Sequence, residues 1–199
     1  VSRGLPANVL LAGIARLAVF DRSGFAAIGK TKQAFLSSLS PLLAFLLVGT
    51  AFEAATTGAA NAYGLQDGLQ TLCILLGQPV VSNLFARLAG RQEEWLRYAT
   101  AMNWCQLVLP LVVVVFAAVA WVAGMAGLAA RPIAYGLFTA VLLYAVVLNW
   151  FLIWRGLNLS KLRAVLFLLA VTATLAFMLT LPAAARLAQT GTVVPRVQT

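Results

Sequence analysis

Five long apolar runs, separated by short basic clusters, leave this chain few folds to choose from. A helix needs roughly 20 residues to cross about 30 Å of hydrocarbon. The runs are Ala34–Thr57, Gly68–Ala86, Trp104–Gly124, Ile133–Trp154 and Ala164–Ala185. Each is continuous, whereas a membrane strand would alternate in character over about ten residues, so each is expected to be a helix. The expected fold is an all-α polytopic integral membrane protein with about five transmembrane helices.

Composition supports this class. Of the 199 residues, 62% are hydrophobic and 10% charged, with a mean hydropathy of +0.95. Soluble domains are about one-quarter charged, and a soluble fold would have to expose a large apolar patch here. The net charge of +9 comes from 14 Lys+Arg against 5 Asp+Glu. A basic balance can signal nucleic acid, but these cations sit between apolar runs, where they hold loops against anionic lipid. The expected partner is therefore the lipid bilayer, and no nucleic acid. The bias toward Arg and Ala hints at a GC-rich bacterial gene, hence a bacterial inner membrane.

Counting cations gives the topology. Arg3, Arg16, Arg22, Lys30 and Lys32 precede the first run; Arg87, Arg91 and Arg97 follow the second; Arg155, Lys161 and Arg163 follow the fourth. With five spans all of these fall on one side, leaving Arg131, Arg186 and Arg196 for the other. The positive-inside rule then places the N-terminus in the cytoplasm and the C-terminus outside. Residues Asn8–Phe20 are too short and too polar to cross, and Arg16 interrupts them, which argues against a secretory signal. Leu10, Leu11, Ile14, Leu17 and Ala18 recur at helical spacing, as in an interfacial helix on the cytoplasmic face, with Phe25 and Ile28 continuing the contact. The domain reading is an interfacial segment over 1–33, a five-helix membrane domain over 34–186 and a short C-terminal tail over 187–199, with the chain expected to fray after Pro182. Trp95, Trp104, Trp121, Trp150, Trp154, Tyr63, Tyr98 and Tyr135 mostly fall near run ends, as an aromatic belt does.

The sharpest local motif points away from its usual chemistry. Gly24-Phe-Ala-Ala-Ile-Gly29-Lys30-Thr31 fits the phosphate-loop pattern G-x-x-x-x-G-K-[ST]. That loop needs a strand before it, a soluble helix after it and an acid for Mg²⁺. Here a membrane run follows, and the acids are Asp21, Glu53, Asp67, Glu93 and Glu94, none of which ends an apolar strand. No nucleotide is expected; the stretch reads as a turn with two lysines at the headgroups. Asn158-Leu-Ser160 is a glycosylation sequon by pattern, but it falls on the cytoplasmic side. Arg87, Arg91, Glu93, Glu94 and Arg97 read as a solvated mixed-charge loop. Cys73 and Cys105 should differ in depth by roughly 20 Å, too far for a disulfide.

Four of the polar residues within the runs stand out as candidates for a site. Glu53 is the one carboxylate inside a span, about one turn from its outer end, where it reads as reaching headgroup water; a polar pair or an ion path is the alternative. Gln78-Pro79 interrupts the second run and Asn83 follows one turn later, while Pro41 and Pro110 stand in the first and third. With Asn149 these residues make a candidate polar intramembrane site: Glu53, Gln78, Asn83 and Asn149. The chain has no histidine, which excludes His-ligated haem and most zinc sites, and no paired carboxylates for acid–base work. No cofactor, metal or catalytic residue is expected, and the chain reads as not an enzyme.

The layout resembles the Yip family of five-span membrane proteins. Leu96-Arg-Tyr-Ala-Thr-Ala-Met-Asn-Trp-Cys-Gln-Leu-Val-Leu-Pro110 is similar to the start of that family's third span. Trp150-Phe-Leu-Ile-Trp-Arg-Gly-Leu-Asn-Leu-Ser-Lys-Leu-Arg-Ala164 is similar to its fourth loop, where an aromatic helix end meets a short basic turn. The resemblance implies five spans with the N-terminus inside, and in eukaryotic members an association with small-GTPase-linked trafficking and membrane shaping. The expected function is a non-enzymatic scaffold or accessory protein acting by helix–helix association, including self-association through small residues such as Ala117, Ala118, Gly124 and Gly127. A small transporter or channel component built on the four polar residues is the alternative. The topology has a direct check. Single cysteines at Ala60 and Ala130 should react with an impermeant thiol reagent from outside, and those at Gly90 and Asn158 should not. Outside labelling at Asn158 would break the five-span assignment.

Overall fold

In the computed structural model the structure describes residues 6–57, 62–127 and 130–190. Among these residues the secondary structure is helical throughout. The order is α1 (Ala7–Ala18), a 3₁₀ helix η1 (Arg22–Ala27), α2 (Lys32–Thr57), α3 (Ala62–Leu88), α4 (Gln92–Gln106), α5 (Val108–Met125), α6 (Ala130–Gly156) and α7 (Lys161–Thr190). Five helical segments are long and apolar enough to cross a membrane, with α4 and α5 together forming the third.

Helix boundaries follow from local chemistry. The α3–α4 turn closes on Gly90, whose φ of +67° suits a residue without a Cβ, while the Arg91 amide donates back to the Ala86 carbonyl at 2.8 Å. Residues 92–97, expected to be solvated loop, are instead the first turns of α4. Glu93 and Glu94 stand in its first turn, where carboxylates favour the positive end of the helix dipole. α4 and α5 meet at Leu107. Pro110 has no N–H to offer the Gln106 carbonyl one turn back, which accounts for the break. Pro41 and Pro79, by contrast, lie within unbroken α2 and α3. α7 also continues through position 182 to Thr190, beyond the expected fraying point; residues 191–199 of the expected tail lie outside the described residues.

Packing places the helices on an arc. α5 lies on α6, α6 on α7, α7 on α3 and α3 on α2, while α4 sits inside, touching α2, α3 and α6. α1 and η1 pack together beneath α4. Leu17 of α1 is 0% exposed, and Phe25 and Ile28 are buried with it. Leu11, expected on the same apolar face, points outward instead. A methyl group added at Gly24 would strike the Gly13 carbonyl and Leu17, so η1 can approach α1 only with glycine there. Asp21 caps η1, accepting from the Ser23 amide at 2.8 Å and the Ser23 hydroxyl at 2.6 Å. These bonds hold its carboxyl below the usual range, so the cap is intact while the group is ionised and weakens as pH falls through that lowered value.

Among the residues whose side chains are described, the core gathers at the end of the bundle where α1 lies. Its members are the last turns of α3 (Val81, Ala86), most of α4, the last turns of α6 (Leu148–Ile153) and the first turns of α7 (Ala164, Phe167, Val171), with Leu17 and Phe25 below. Tyr144 reaches down to donate its hydroxyl to the Ala18 carbonyl at 2.8 Å, and Phe20 stands edge-on to Tyr144 and Phe151. None of the residues of α5 is buried.

Candidate functional site

The polar groups of the bundle converge on α4. Trp95, Asn103 and Gln106 fall on one face of this helix, and all three donate outward. The Trp95 indole N–H donates to Ser82 Oγ at 3.1 Å, and Ser82 donates in turn to the Pro79 carbonyl at 3.1 Å. Asn103 Nδ2 donates to Ser38 Oγ at 2.9 Å, and the Ser38 hydroxyl donates in turn to the Phe35 carbonyl at 2.6 Å. Asn103 is 5% exposed and Ser38 0%. Gln106 Nε2 donates to Gln78 Oε1. α4 is thereby tied to α2 once and to α3 twice by side chains that would be costly to bury unpaired.

The expected polar site is assembled only in part. Gln78 and Asn149 line one cavity of about 300 Å³, with Tyr98, Met102, Ile153 and Thr172 among its other walls. Gln78 is already engaged by Gln106, and Asn149 donates to Ala145 of its own helix at 2.9 Å. Asn83 is half-buried and does not line this cavity. Glu53 belongs to α2, but its side chain lies outside the described residues. The sequence reading missed Ser38, Asn103 and Gln106. The signal for the two α4 residues was their helical spacing with Trp95, which starting the third span at Trp104 split; nothing in the sequence singled out Ser38.

Other sequence features fall into place around this centre. Gly24–Thr31 follows helix α1, passes through η1 and runs into α2, so no strand precedes it. Gly24 serves the α1–η1 contact described above. Cys73 is exposed, Cys105 is buried, and both are free thiols. Among the described residues no three His, Cys, Asp or Glu side chains gather as metal ligands would. Arg97, in the second turn of α4, holds its guanidinium 5.6 Å from the Phe25 ring and donates to the Gly156 carbonyl at 3.3 Å, while its buried Nε has no partner among the described residues. At the α6–α7 turn Trp154 stacks on Trp150, with the Arg155 guanidinium 3.7 Å and the Lys161 ammonium 5.3 Å from its ring centre. Asn158 of the sequon turns this corner at φ +51° and is exposed.

Fold and site together define an all-helical bundle whose five long apolar helices are compatible with a multi-pass membrane protein, organised by hydrogen bonds from α4. No protein-family model, curated protein or solved structure matches the chain.

The hydrogen bonds rank the residues experimentally. Asn103→Ala should lower unfolding free energy in bicelles by about 1–2 kcal/mol, because a buried interhelical bond and its packing go together. Asn149→Ala, which removes a bond within one helix, should stay within about 0.5 kcal/mol of the parent. Steric-trapping unfolding measures both.

Proposed function

We propose that this chain is a multi-pass membrane protein that works by association, as a non-enzymatic scaffold or accessory component. In this reading α1 and η1 lie on the cytoplasmic face of a bacterial inner membrane, the C-terminus lies outside, and the layout is Yip-like. The observation that carries it is α5. This helix is apolar along its length, packs chiefly on α6, and buries none of its residues. Leu111, Val114 and Trp121 are exposed, as are the small residues Ala117, Ala118 and Gly124. Lipid satisfies such a surface, and small residues also let a second helix approach closely enough for dispersion and backbone contacts to favour association. Chemistry is disfavoured because the chain has no histidine and no paired carboxylates.

The transport alternative has one observation in its favour, the cavity shared by Gln78 and Asn149. Both amides are already bonded, which suits a packing role better than a path for solute. Two measurements separate the readings. A photo-crosslinking residue in place of Val114 should give discrete protein adducts in native membranes, a self-adduct or one with another membrane protein. A cysteine in place of Thr172, in the cavity wall, should resist small water-soluble thiol reagents. Lipid adducts alone at Val114, together with rapid modification at Thr172, would replace the scaffold by a transport component.

A further inference from the structure

The last turns of α3 and the first turns of α7 leave a groove between them of about 530 Å³. Phe85, Leu88, Leu159, Leu166 and Phe167 make it apolar, and Arg163 is the one charged residue in its lining. Arg163 is exposed, and its guanidinium has no carboxylate partner among the described residues. The turn feeding α7 adds Arg155 and Lys161, and residues 155–163 contain no acid. An apolar trough that ends beside a free guanidinium at the terminus of an apolar helix has the two halves of a lipid's chemistry. The trough takes an acyl chain, and the planar guanidinium takes a phosphate through paired N–H donors. Basic pockets between helices at this level favour anionic headgroups, and the missing carboxylate leaves a zwitterionic lipid's cation without a partner.

We propose that the α3–α7 groove is a binding site for one anionic phospholipid, its chain along Phe85, Leu166 and Phe167 and its phosphate on Arg163. The site needs only that the long helices lie in a bilayer; it stands or falls separately from the association reading. The test uses the full chain in nanodiscs of phosphatidylcholine with phosphatidylglycerol, released into native mass spectrometry. One phosphatidylglycerol should stay bound at collision energies that remove phosphatidylcholine. Arg163→Gln should reduce that retention about fivefold, from about 1 kcal/mol for one cation near a headgroup. Ala89→Trp, at the groove's exposed edge, should reduce it too while leaving every charge in place. Lys161→Gln should reduce it less than Arg163→Gln, and millimolar inorganic phosphate should not displace the lipid. Retention unchanged in Arg163→Gln or in Ala89→Trp would overturn the site. So would an equal loss in Lys161→Gln, which would indicate a diffuse basic surface, or displacement by phosphate, which would indicate an anion site without a lipid chain.

Discussion

The rest of the bundle depends on α4, which lies inside the arc and is tied to α2 and α3 by side-chain hydrogen bonds. Pro110 cannot donate to the Gln106 carbonyl, and the third apolar segment is interrupted for one residue at Leu107, its two parts lying in different surroundings. α4 runs through the middle of the arc, and α5 leaves it for the edge against α6. The described core stops near the depth of Cys105, and α5 buries none of its residues.

What holds α4 at the centre is a division of labour between its faces. One face gives hydrogen bonds to Ser38, Ser82 and Gln78; another packs Tyr98, Met102 and Cys105 into the apolar cluster. Apolar burial alone is a weak organiser between helices when the surroundings are as apolar as the side chains, so polar pairs and close fit carry more of the specificity. The α1–η1 layer extends the same design below the bundle. It places Leu17 and Phe25 under α4 and uses Gly13 and Gly24 to bring two chain segments into contact. Arg97 joins that layer to the end of α6 through Gly156, while its aliphatic and planar parts lie near Phe25.

Much of this was legible in the residues. Continuous apolar runs located α2, α3, α6 and α7 within a few residues, and the spacing of Ile14 and Leu17 marked α1. Several misses share a physical cause: hydropathy alone was used to set where helices begin and which polar residues face water. Glu93, Glu94 and Arg97 suggested a loop, although they start a helix whose later turns bury Tyr98–Asn103 and Cys105. Trp95 looked like a belt residue and is a hydrogen-bond donor to Ser82. Of the four residues expected to form a polar site, Gln78 and Asn149 share a cavity, Asn83 does not join them, and the side chain of Glu53 is outside the described residues. Hydropathy along a chain says which residues tolerate lipid; it does not say which polar residues find each other across helices.

Among the described side chains the buried core gathers at the α1 end, and α5 buries none of its residues, so the two regions should differ in energy. Leu152 in α6 is 0% exposed and Leu111 in α5 is 67% exposed, so the same truncation samples both halves. In steric-trapping measurements within a bilayer mimic, Leu152→Ala should cost about 2–5 kcal/mol of unfolding free energy and Leu111→Ala no more than about 0.5 kcal/mol. Equal losses at the two positions would contradict a bundle held together from the α1 end.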